Sequence, residues 1–599
     1  MLRKLLIGGI AALVCSAPAS AATKQLLMPG VTYEHAVQFT PHGPVALHVV
    51  SGPRPTGLYE LRPVLSNETI QGTERVTSMQ KRLSSQATMV GVNGDMFEWA
   101  TGRPSGVLVR GGVLDSPPYG DRSSVGITAT GTLDVRRVQF FGTWKGFGQR
   151  RAITGLNQLP GPNGISLFTS AYGPATPTLS GAVSAVLFPF PPATPNTDLV
   201  GPVTAIGNGA GAAIPAGGAV LLARGTAGQK LAEEAPVGTS VVLRLIFRPQ
   251  WEGITQAIGG GPVIVRNGAP VFRSLEAFEP RQLIPRQPRT AVGQLPNGRV
   301  ILVATDGRRP GYSIGMTTFE LAQTLVRLGA VTASALDGGG STTVAFDGSV
   351  LNRPSDPGGE RSVSTSLQLM YFGVYARSAL PVVSPNGDGV AETQQLSYKV
   401  VRPSNVTATL TAPGGQVAFT EAVARAPGTY PVSFPPVSAD PNVPPPAPAE
   451  GRWQLDLAAT DDLGRVSKTQ QRFTVNNTLG DVELARRRIT VRLRGTQFVQ
   501  AGVSVTRPAR LRVTVETQSG VQVATIAVRR VSEPGRFLVR WGGTTRGGRA
   551  FVYGGNYVLR FRAVNELGVT ELTSPPVRVT VVRTPPPKKP RRPSQTARS

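Results

Sequence analysis

Apolar and polar residues alternate along much of the chain, which is the pattern of strands whose two faces meet different surroundings. Residues 31–50 and 240–247 alternate in this way, as does much of the region beyond residue 384. Runs of consecutive apolar residues, such as 89–92 and 300–305, are typical of strands buried on both faces. Glycine, proline and asparagine turn signals separate these segments. The pattern predicts many short strands and few helices.

The clearest helical period covers residues 317–328. Thr317 and Glu320 form a capping box, and Gly329 follows as a stop signal. Because the capping role accounts for Glu320, no catalytic role is needed to explain it. A second, short helix is predicted over residues 226–234.

Two aspartates follow predicted strands on either side of the 317–328 helix. Asp306 ends the strand 300–305, and Asp337 opens the sequence Asp-Gly-Gly-Gly-Ser after the next strand. If the two strands are parallel neighbours joined by the helix, both aspartates lie at one edge of the sheet, where ligands bind. Three glycines in a row weaken a fold unless the backbone must be bare, so the stretch is either a tight turn or part of a binding site.

Composition indicates several soluble domains and an anionic partner. The chain has 599 residues, 70 Gly, 53 Pro and a formal net charge of +27. Such a length exceeds one core, and the basic balance favours wall polymers, membrane surfaces, phosphorylated glycans or nucleic acid. Zinc fingers, aromatic RNA-binding motifs and basic helices do not occur in the sequence, so nucleic acid is not expected as a partner.

The first 21 residues have the features of a signal peptide, with Arg3 and Lys4 before an apolar run and a small-residue cleavage site. We therefore expect a protein that is secreted, extracellular or attached to the cell surface, with no transmembrane span after cleavage. Cleavage would also remove Cys15, the only cysteine, which excludes disulfides, thiolate zinc sites and cysteine nucleophiles. The oligomeric state is not indicated.

All three histidines lie in the first predicted strands, at His35, His42 and His48. A metal site would require them to converge, and the sequence favours surface or half-buried strand positions instead.

Shifts in composition divide the chain into an α+β part and an all-β part. The α+β part is a mixed-sheet domain rich in strands with few helices, and a rough repeat between residues 451–475 and 555–581 predicts two immunoglobulin-like β-sandwiches after it. The predicted segments are a signal peptide at 1–21, N-terminal strands at 22–86, the mixed-sheet domain at 87–376, β-sandwiches at 377–480 and 481–583, and a basic, proline-rich, disordered tail at 584–599.

Eight short motifs occur in an order that resembles the phosphodiester glycosidase family, the domain of the mannose-6-phosphate uncovering enzyme and its bacterial relatives. The resemblance covers about residues 87–375, and its motifs are VNGDMF, GPVTAIGNGAGAAIPAGGAVLLARG, AIGGGPVIVRNG, RTAVG, VATDGR, SIGMTTFELAQTLVRLGA, LDGGGSTT and ERSVSTSL. It implies a hydrolase that cleaves a sugar-1-phosphodiester in a cell-wall or exported glycan. The SPNGDG sequence and the repeats after it resemble FlgD-type immunoglobulin-like modules.

In a sugar-1-phosphodiester the leaving group is already an anionic phosphate, so the enzyme must mainly place a nucleophile at the anomeric carbon and hold the phosphate. Asp306 and Asp337 are the predicted catalytic carboxylates. The predicted substrate-binding residues are Asn93 and Asp95 for sugar hydroxyls, Arg289, Arg308, Gly338, Gly339, Gly340 and Ser341 for the phosphate, and Arg361 for a further charge contact.

Two alternatives stay open at the level of sequence. The domain could be a catalytically inactive wall- or glycan-binding protein, or a phosphodiesterase that attacks phosphorus. No cofactor is required, and a divalent cation such as Ca²⁺ or Mg²⁺ is compatible with aspartate oxygens although no ligand series with metal spacing occurs. The sequence departs from the family pattern at Asp95, where a second glycine is common, and lacks the disulfides of the mammalian relative.

Overall fold

The computed structural model describes residues 22–209, 211–436, 447–492, 497–545 and 550–582. The predicted signal peptide and the whole of the predicted tail lie outside these residues. The chain forms two compact units that divide between Gly373 and Val374. Over the described residues it forms 43 strands and four α-helices, which confirms the prediction of a strand-rich protein with few helices.

The strands of the first unit, in chain order, are β1 (Thr23–Met28), β2 (Val31–Thr40), β3 (Gly43–Gly52), β4 (Tyr59–Leu65), β5 (Thr88–Asn93), β6 (Leu108–Arg110), β7 (Val113–Ser116), β8 (Ser123–Thr128), β9 (Leu133–Arg137), β10 (Gln139–Lys145), β11 (Arg151–Ile153), β12 (Gly155–Leu156), β13 (Ile165–Thr169), β14 (Ala182–Leu187), β15 (Asp198–Gly207), β16 (Ala219–Arg224), β17 (Ser240–Arg248), β18 (Ile254–Ile258), β19 (Val263–Arg266), β20 (Ala269–Pro270), β21 (Arg289–Gln294), β22 (Val300–Thr305), β23 (Thr332–Ala335), β24 (Val344–Phe346), β25 (Ser349–Val350) and β26 (Thr365–Tyr371).

The four helices belong to the first unit and are α1 (Val76–Arg82), α2 (Gly225–Glu234), α3 (Pro280–Leu283) and α4 (Thr318–Arg327). Helix α4 confirms the capping box, because Glu320 N donates to Thr317 Oγ1 at 3.1 Å and Thr317 N donates to Glu320 Oε2 at 2.9 Å. Helix α2 confirms the second predicted helix. No helix among the described residues is long and apolar enough to cross a membrane.

The sheet that carries the candidate site has the strand order β1-β2-β3-β22-β21-β23-β19-β20. Strand β21 pairs antiparallel with both β22 and β23, so β22 and β23 are parallel but not adjacent. The arrangement of neighbouring strands considered from sequence is therefore wrong in one respect: β21 lies between them. Asp306 and Asp337 nevertheless lie at the same edge of the sheet, because two parallel strands still end on the same side. Helix α4 covers this sheet through Leu321, Ala322 and Leu325.

Three further sheets complete the first unit. Their strand orders are β11-β10-β17-β15-β14-β16-β13-β12, β7-β6-β18-β8-β9 and β25-β24-β5-β26-β4. A large core lies between the first two, with Trp144, Leu243 and Trp251 among its buried residues. Helix α1 packs on the third through Val76 and Met79, which fixes the strand β5 that leads to Asn93.

The second unit contains β27 (Tyr375–Ala376), β28 (Val382–Val383), β29 (Leu396–Val400), β30 (Ser404–Thr411), β31 (Val417–Arg425), β32 (Gly428–Val432), β33 (Gly451–Asp461), β34 (Val466–Val475), β35 (Leu479–Leu484), β36 (Arg488–Val491), β37 (Val499–Val505), β38 (Ala509–Thr517), β39 (Gln522–Val531), β40 (Gly535–Trp541), β41 (Gly555–Asn565), β42 (Gly568–Thr573) and β43 (Val577–Val581).

These strands form two successive pairs of sheets. The first pair has the orders β27-β29-β32 and β28-β34-β33-β30-β31 and shares a core that includes Tyr398 and Trp453. The second pair is β35-β37-β40 with a six-stranded sheet of order β36-β43-β41-β38-β39, in which β42 also pairs with β41. Its core includes Trp541 and Phe561. Each pair of sheets thus has its own core.

Candidate active site

Strands β22, β21 and β23 bring three predicted site residues to one edge of their sheet. Arg289 opens β21 opposite Thr305, the residue before Asp306. On the other side of β21, Leu336 N donates to Thr290 O at 2.9 Å, immediately before Asp337. Since neighbouring strands lie about 4.8 Å apart, the backbones at Asp306 and Asp337 are separated by roughly 10 Å.

A cavity of about 240 Å³ opens at this edge. Its walls come from the chain after β5, the Gly-Pro turn before β19, the loop before β21 and the glycine-rich loop. The lining residues are Met96, Gly261, Pro262, Phe278, Arg281, Gln282, Leu283, Gln287, Arg289, Arg308, Thr318, Ala335, Leu336, Asp337, Gly338 and Gly339. Three arginines and one aspartate are the charged members, so the cavity attracts an anion.

Asp337 is the carboxylate of this cavity, and its backbone is fixed from two sides. Asn93 Nδ2 donates to Asp337 O at 2.7 Å, and Asp337 N donates to Gly94 O at 3.0 Å. Gly338 N donates to its Oδ1 at 2.9 Å. Burial raises the pKa of Asp337 to about 6, against the opposing effects of the Ser341 hydroxyl, the Gly338 N–H and the charge of Arg361.

Asp95 lies behind Asp337 and forms a carboxylate pair with it. Its side chain is buried and accepts a hydrogen bond from Gly106 N at 2.6 Å. Burial raises the pKa of Asp95 to about 7; hydrogen bonds from Gly106 and Met96 oppose this rise, and the charge of Asp337 adds to it. The charge of one carboxylate thus influences the titration of the other.

Asp306 occupies a closed, buried network and does not line the cavity. Its oxygens accept hydrogen bonds from His48 Nε2 at 3.0 Å, Tyr312 Oη at 3.0 Å, Asn352 Nδ2 at 2.9 Å and Arg353 N at 3.1 Å. Burial by itself raises the pKa of Asp306, but the hydrogen bonds and charge of His48, with those of Asn352 and Arg353, hold it below the ordinary value. Hydrogen-bond donors occupy both carboxylate oxygens of Asp306, so neither oxygen is free to react.

His48 is the partner that sequence reasoning missed. It is 2% exposed, which differs from the expected surface or half-buried position. A carboxylate cannot donate, so His48 Nε2 carries the proton shared with Asp306, and His48 Nδ1 lies 2.7 Å from Tyr33 Oη. The antiparallel pairing of Ala304 with His48, one residue before the end of β22, could have suggested this contact only once the sheet order was known.

Arg289 and Arg308 both line the cavity, yet their donors are used differently. Arg289 donates to the carbonyl oxygens of Met316, Gln282, Leu283 and Pro285, at 2.6 to 3.2 Å. Burial, with the nearby charge of Arg308, lowers the pKa of Arg289 to about 10. Arg308 donates through Nε to Gln287 Oε1 at 2.6 Å, and among the described residues its terminal nitrogens have no hydrogen-bond or ion-pair partner.

The three glycines make room for protein atoms. A Cβ at Gly338 would lie 2.9 Å from Pro288 O, and one at Gly339 would lie 2.9 Å from Arg308 Nη2. A Cβ at Gly340 would collide with the Arg361 guanidinium. Gly339 also has a φ of +63°, which favours glycine. The amides of Gly338 and Gly339 already donate to Asp337 Oδ1 and Pro288 O, so two of the predicted phosphate donors are occupied.

The remaining predicted residues are close to the cavity but outside its wall. Asn93 is fully buried, and its Oδ1 accepts from Thr290 Oγ1 and Thr343 N, so it orders the backbone rather than meeting solvent. Arg361 pairs with Asp356 at 2.7 Å, lies 3.4 Å from the buried Ser341 Oγ and stacks over Trp99. Asn93, Asp95 and Ser341 are thus not among the residues that line the cavity.

The loop before β21 supplies several lining residues that sequence reasoning did not single out. Helix α3 begins with Pro280 and has a capping box between Glu279 and Gln282. Proline at the first helical position and Glu279 three residues before Gln282 were the available signals. Within the described residues, no group of three or more His, Cys, Asp or Glu side chains could hold a metal ion.

Comparison with known proteins shows that this part of the chain is similar to a known family. A family model described as phosphodiester glycosidase matches residues 196–370. The SPbeta prophage-derived uncharacterized protein YomE of Bacillus subtilis (strain 168) is 36% identical over 86 residues, and the match covers 14% of this chain and 13% of that protein.

Two solved structures are also similar. A hypothetical protein from Synechocystis has a TM-score of 0.49 and 26% identity over 59% of this chain and 64% of that chain. The zebrafish N-acetylglucosamine-1-phosphodiester alpha-N-acetylglucosaminidase catalytic domain has a TM-score of 0.31 and 15% identity over 59% of this chain and 84% of that chain. The resemblance read from the motifs is thus confirmed for residues 196–370, which match the phosphodiester glycosidase family and carry Asp306, Asp337 and the three predicted arginines.

Proposed function

We propose that the first unit hydrolyses a sugar-1-phosphodiester in a cell-wall or exported glycan, with Asp337 as the reacting carboxylate. The observation that carries this proposal is the position of Asp337 as the one carboxylate of a cavity that also holds three arginines. A substrate that joins a neutral sugar to an anionic phosphate matches such a cavity. The family likeness of residues 196–370 supports the same reaction class.

Asp337 acts at the anomeric carbon, either as the nucleophile or as the base that activates water. With its pKa raised to about 6, it is ionised at neutral pH and more basic than an ordinary aspartate. The phosphate leaves as an anion and needs little protonation. The stereochemistry of the released sugar distinguishes the two roles, since a nucleophilic carboxylate gives retention and a base gives inversion.

Arg308 holds the phosphate, and Asp306 is assigned a positioning role. The terminal nitrogens of Arg308 offer the paired donors that suit a phosphate. Arg308 also has a φ of 59°, a costly conformation for a residue with a Cβ and one that occurs preferentially at functional sites. Asp306 anchors the start of the Asp306–Arg308 turn through His48 and Asn352.

The test is turnover of a panel of sugar-1-phosphodiesters in oxygen-18 water, beginning with a methyl diester of N-acetylglucosamine 1-phosphate. We expect label in the sugar and loss of turnover in Asp337→Asn. Label in the phosphate would instead establish a phosphodiesterase. Binding of the diesters without turnover by the wild-type protein would establish the inactive, glycan-binding alternative.

The rest of the chain fits an exported enzyme in this proposal. Residues 1–21 direct secretion, and the two pairs of sheets in the second unit are immunoglobulin-like modules that act as spacers or attachment domains. Detection of a processed N-terminus at residue 22 in the medium or on the cell surface tests the first part. An unprocessed chain retained in the cytoplasm would contradict it.

A further inference from the structure

The outer face of the six-stranded sheet in the second unit carries an unusual arrangement of arginines. Along β38, Leu511 and Val513 point into the core, whereas Arg510 and Arg512 point outward. The strand register then places other outward arginines directly opposite them. We call the five outward arginines that have no ion-pair partner among the described residues the arginine face: Arg488, Arg510, Arg512, Arg530 and Arg578.

Three arginine pairs are in direct cross-strand register on the outer side of this sheet, and one of them includes Arg562, which is outside the arginine face because it pairs with Glu571. Arg510 is opposite Arg530, Arg512 is opposite Arg562, and Arg488 is opposite Arg578. Side chains in such positions have Cβ atoms about 5 Å apart in antiparallel pairs, and like charges there destabilise a sheet. A sheet selected only for stability would place acids between them.

The acidic residues on the outer side of the sheet form no ion pair, among the described residues, with the five arginines of the arginine face. Glu516 pairs with Arg560 at 2.9 Å, and Glu571 pairs with Arg560 and Arg562 at 3.3 and 3.1 Å. Among the described residues no other outward acid lies on these strands. The positive charge of the five remaining arginines is therefore left for a partner.

The arrangement suits a linear polyanion. The five arginines form two groups on the outer face of the sheet. Arg510, Arg512 and Arg530 lie together, with steps of about 5 Å between strands and about 7 Å along a strand. Arg488 and Arg578 lie level with Asn556 of β41, six residues along that strand from Arg562, so about 20 Å separates the two groups along the strand direction. A single small anion cannot meet all of them. Guanidinium groups bind phosphate oxygens in pairs, which favours repeated phosphates over isolated ones.

The composition of the face argues against two other classes of anionic partner. Val528 and Val569 are exposed on this side of the sheet, Val558 and Val564 are half-buried there, and no aromatic side chain of the described strands points outward. Stacking platforms for nucleic-acid bases are thus missing. Large apolar side chains that enter a lipid surface are missing as well.

We propose that the arginine face binds a polymer that carries repeated phosphates on a sugar or polyol backbone, and thereby holds the protein on such a polymer. The inference rests on the strand register and charges of the second unit alone. It does not depend on the activity proposed for the first unit.

The test measures binding of fluorescently labelled linear polyphosphate to the full chain by anisotropy at several salt concentrations. Arg510→Gln/Arg530→Gln removes one opposed pair from the arginine face. The matched control Arg536→Gln/Arg540→Gln removes the same charge from β40, in the other sheet of the same pair. We expect the first variant to lose about tenfold or more in affinity and to reduce the salt slope by about 2, and the control to change affinity by less than about twofold.

A second readout separates binding from folding. Without polyanion and at low salt, Arg510→Gln/Arg530→Gln should have a higher midpoint of thermal unfolding than the wild-type protein, because the opposed charges are gone. Equal losses of affinity in both double variants, or none in either, would overturn the proposal. Tighter binding of single-stranded DNA or phosphatidylglycerol vesicles than of polyphosphate, at equal phosphate and salt, would overturn the assignment of the partner.

Discussion

Asp306 and Asp337 have the same local sequence, an apolar strand followed by Asp-Gly, and they end parallel strands of one sheet. Their surroundings differ completely. Asp306 is 1% exposed and accepts hydrogen bonds from four groups, whereas Asp337 lines the cavity beside Asp95. Asp306 is therefore fully engaged by protein groups, whereas Asp337 is accessible from the cavity.

The two environments also give opposite dependences of stability on pH. The pKa of Asp306 is lowered, so its contribution is present above its unfolded pKa and is lost as the pH falls. The pKa values of Asp337 and Asp95 are raised to about 6 and about 7, so their contribution is present in acid and is lost as the pH rises through these values. The burial that raises the pKa values of Asp337 and Asp95 therefore carries a cost in stability near neutral pH.

The largest expected effect is on activity, at Asp337. Asp337→Asn keeps the shape and can still accept from Gly338 N, but it removes the charge that reacts. We expect kcat/KM for a sugar-1-phosphodiester to fall by a factor of about 10³ or more, which corresponds to about 4 kcal/mol of transition-state stabilisation. The free energy of unfolding, measured by urea titration at neutral pH, should not fall, because Asp337→Asn also removes the cost of ionising a buried carboxyl whose pKa is raised to about 6. Activity within tenfold of the wild type would contradict the assignment.

The second effect is on stability, at Asp306. Asp306→Ala leaves His48, Tyr312 and Asn352 without their buried acceptor, and we expect a loss of about 3–5 kcal/mol in the free energy of unfolding. Asp337→Asn, measured under the same conditions, is the control. If Asp306→Ala unfolds like the wild type while turnover falls by about 10³, Asp306 is a reacting carboxylate and the contrast between the two aspartates fails.

The sequence could identify the edge of the sheet but could not separate the two aspartates. The strand-helix-strand pattern around Thr317 is local, because the capping box lies within four residues. The fate of Asp306 instead depends on His48, which is 258 residues away in the chain. A contact between residues so far apart in the chain produces no periodic pattern in the sequence. The sequence around a histidine on an alternating strand therefore looks the same whether that histidine is buried or half-buried.

The glycine-rich loop gives a similar lesson. From sequence, the bare backbone of Gly338–Gly340 suggests space for a phosphate. In the structure these positions are close to Pro288 O and to the guanidinium groups of Arg308 and Arg361. The glycines are needed, as the sequence indicated, but what they admit is the protein's own arginines. Only the packing of β21 beside the loop reveals this.

The third effect concerns the carboxylate pair behind the cavity. The contribution of Asp95 to stability should fall as the pH rises from about 4 to about 8, because folded Asp95 holds its proton up to about pH 7. Asp95→Asn cannot ionise, so the stability of this variant relative to the wild type should increase by about 2–4 kcal/mol over this range. Urea titrations of both proteins at each pH measure the difference. Parallel curves would show that Asp95 is not titrating in the folded protein.

The smallest expected effect concerns the two cavity arginines. They differ as the two aspartates do: one has groups available to a ligand, and the other has its groups bonded to the protein. Arg308→Gln removes terminal nitrogens that have no partner among the described residues, so stability should change little. Loss of a charge-assisted contact of about 1.5–3 kcal/mol should lower kcat/KM by roughly 10- to 100-fold.

Arg289→Gln is the matched variant, because Arg289 lines the same cavity but donates to four carbonyl oxygens. We expect it to lower the free energy of unfolding by about 1–3 kcal/mol and to loosen the loop before β21. Inorganic phosphate, added as a competitive inhibitor, distinguishes the two further: its inhibition constant should rise in Arg308→Gln because the proposed phosphate contact is gone. If inhibition by phosphate weakens only in Arg289→Gln, the anion binds through the arginine that the structure engages with carbonyl groups, and an unpartnered guanidinium is then a poor guide to the binding site in this protein.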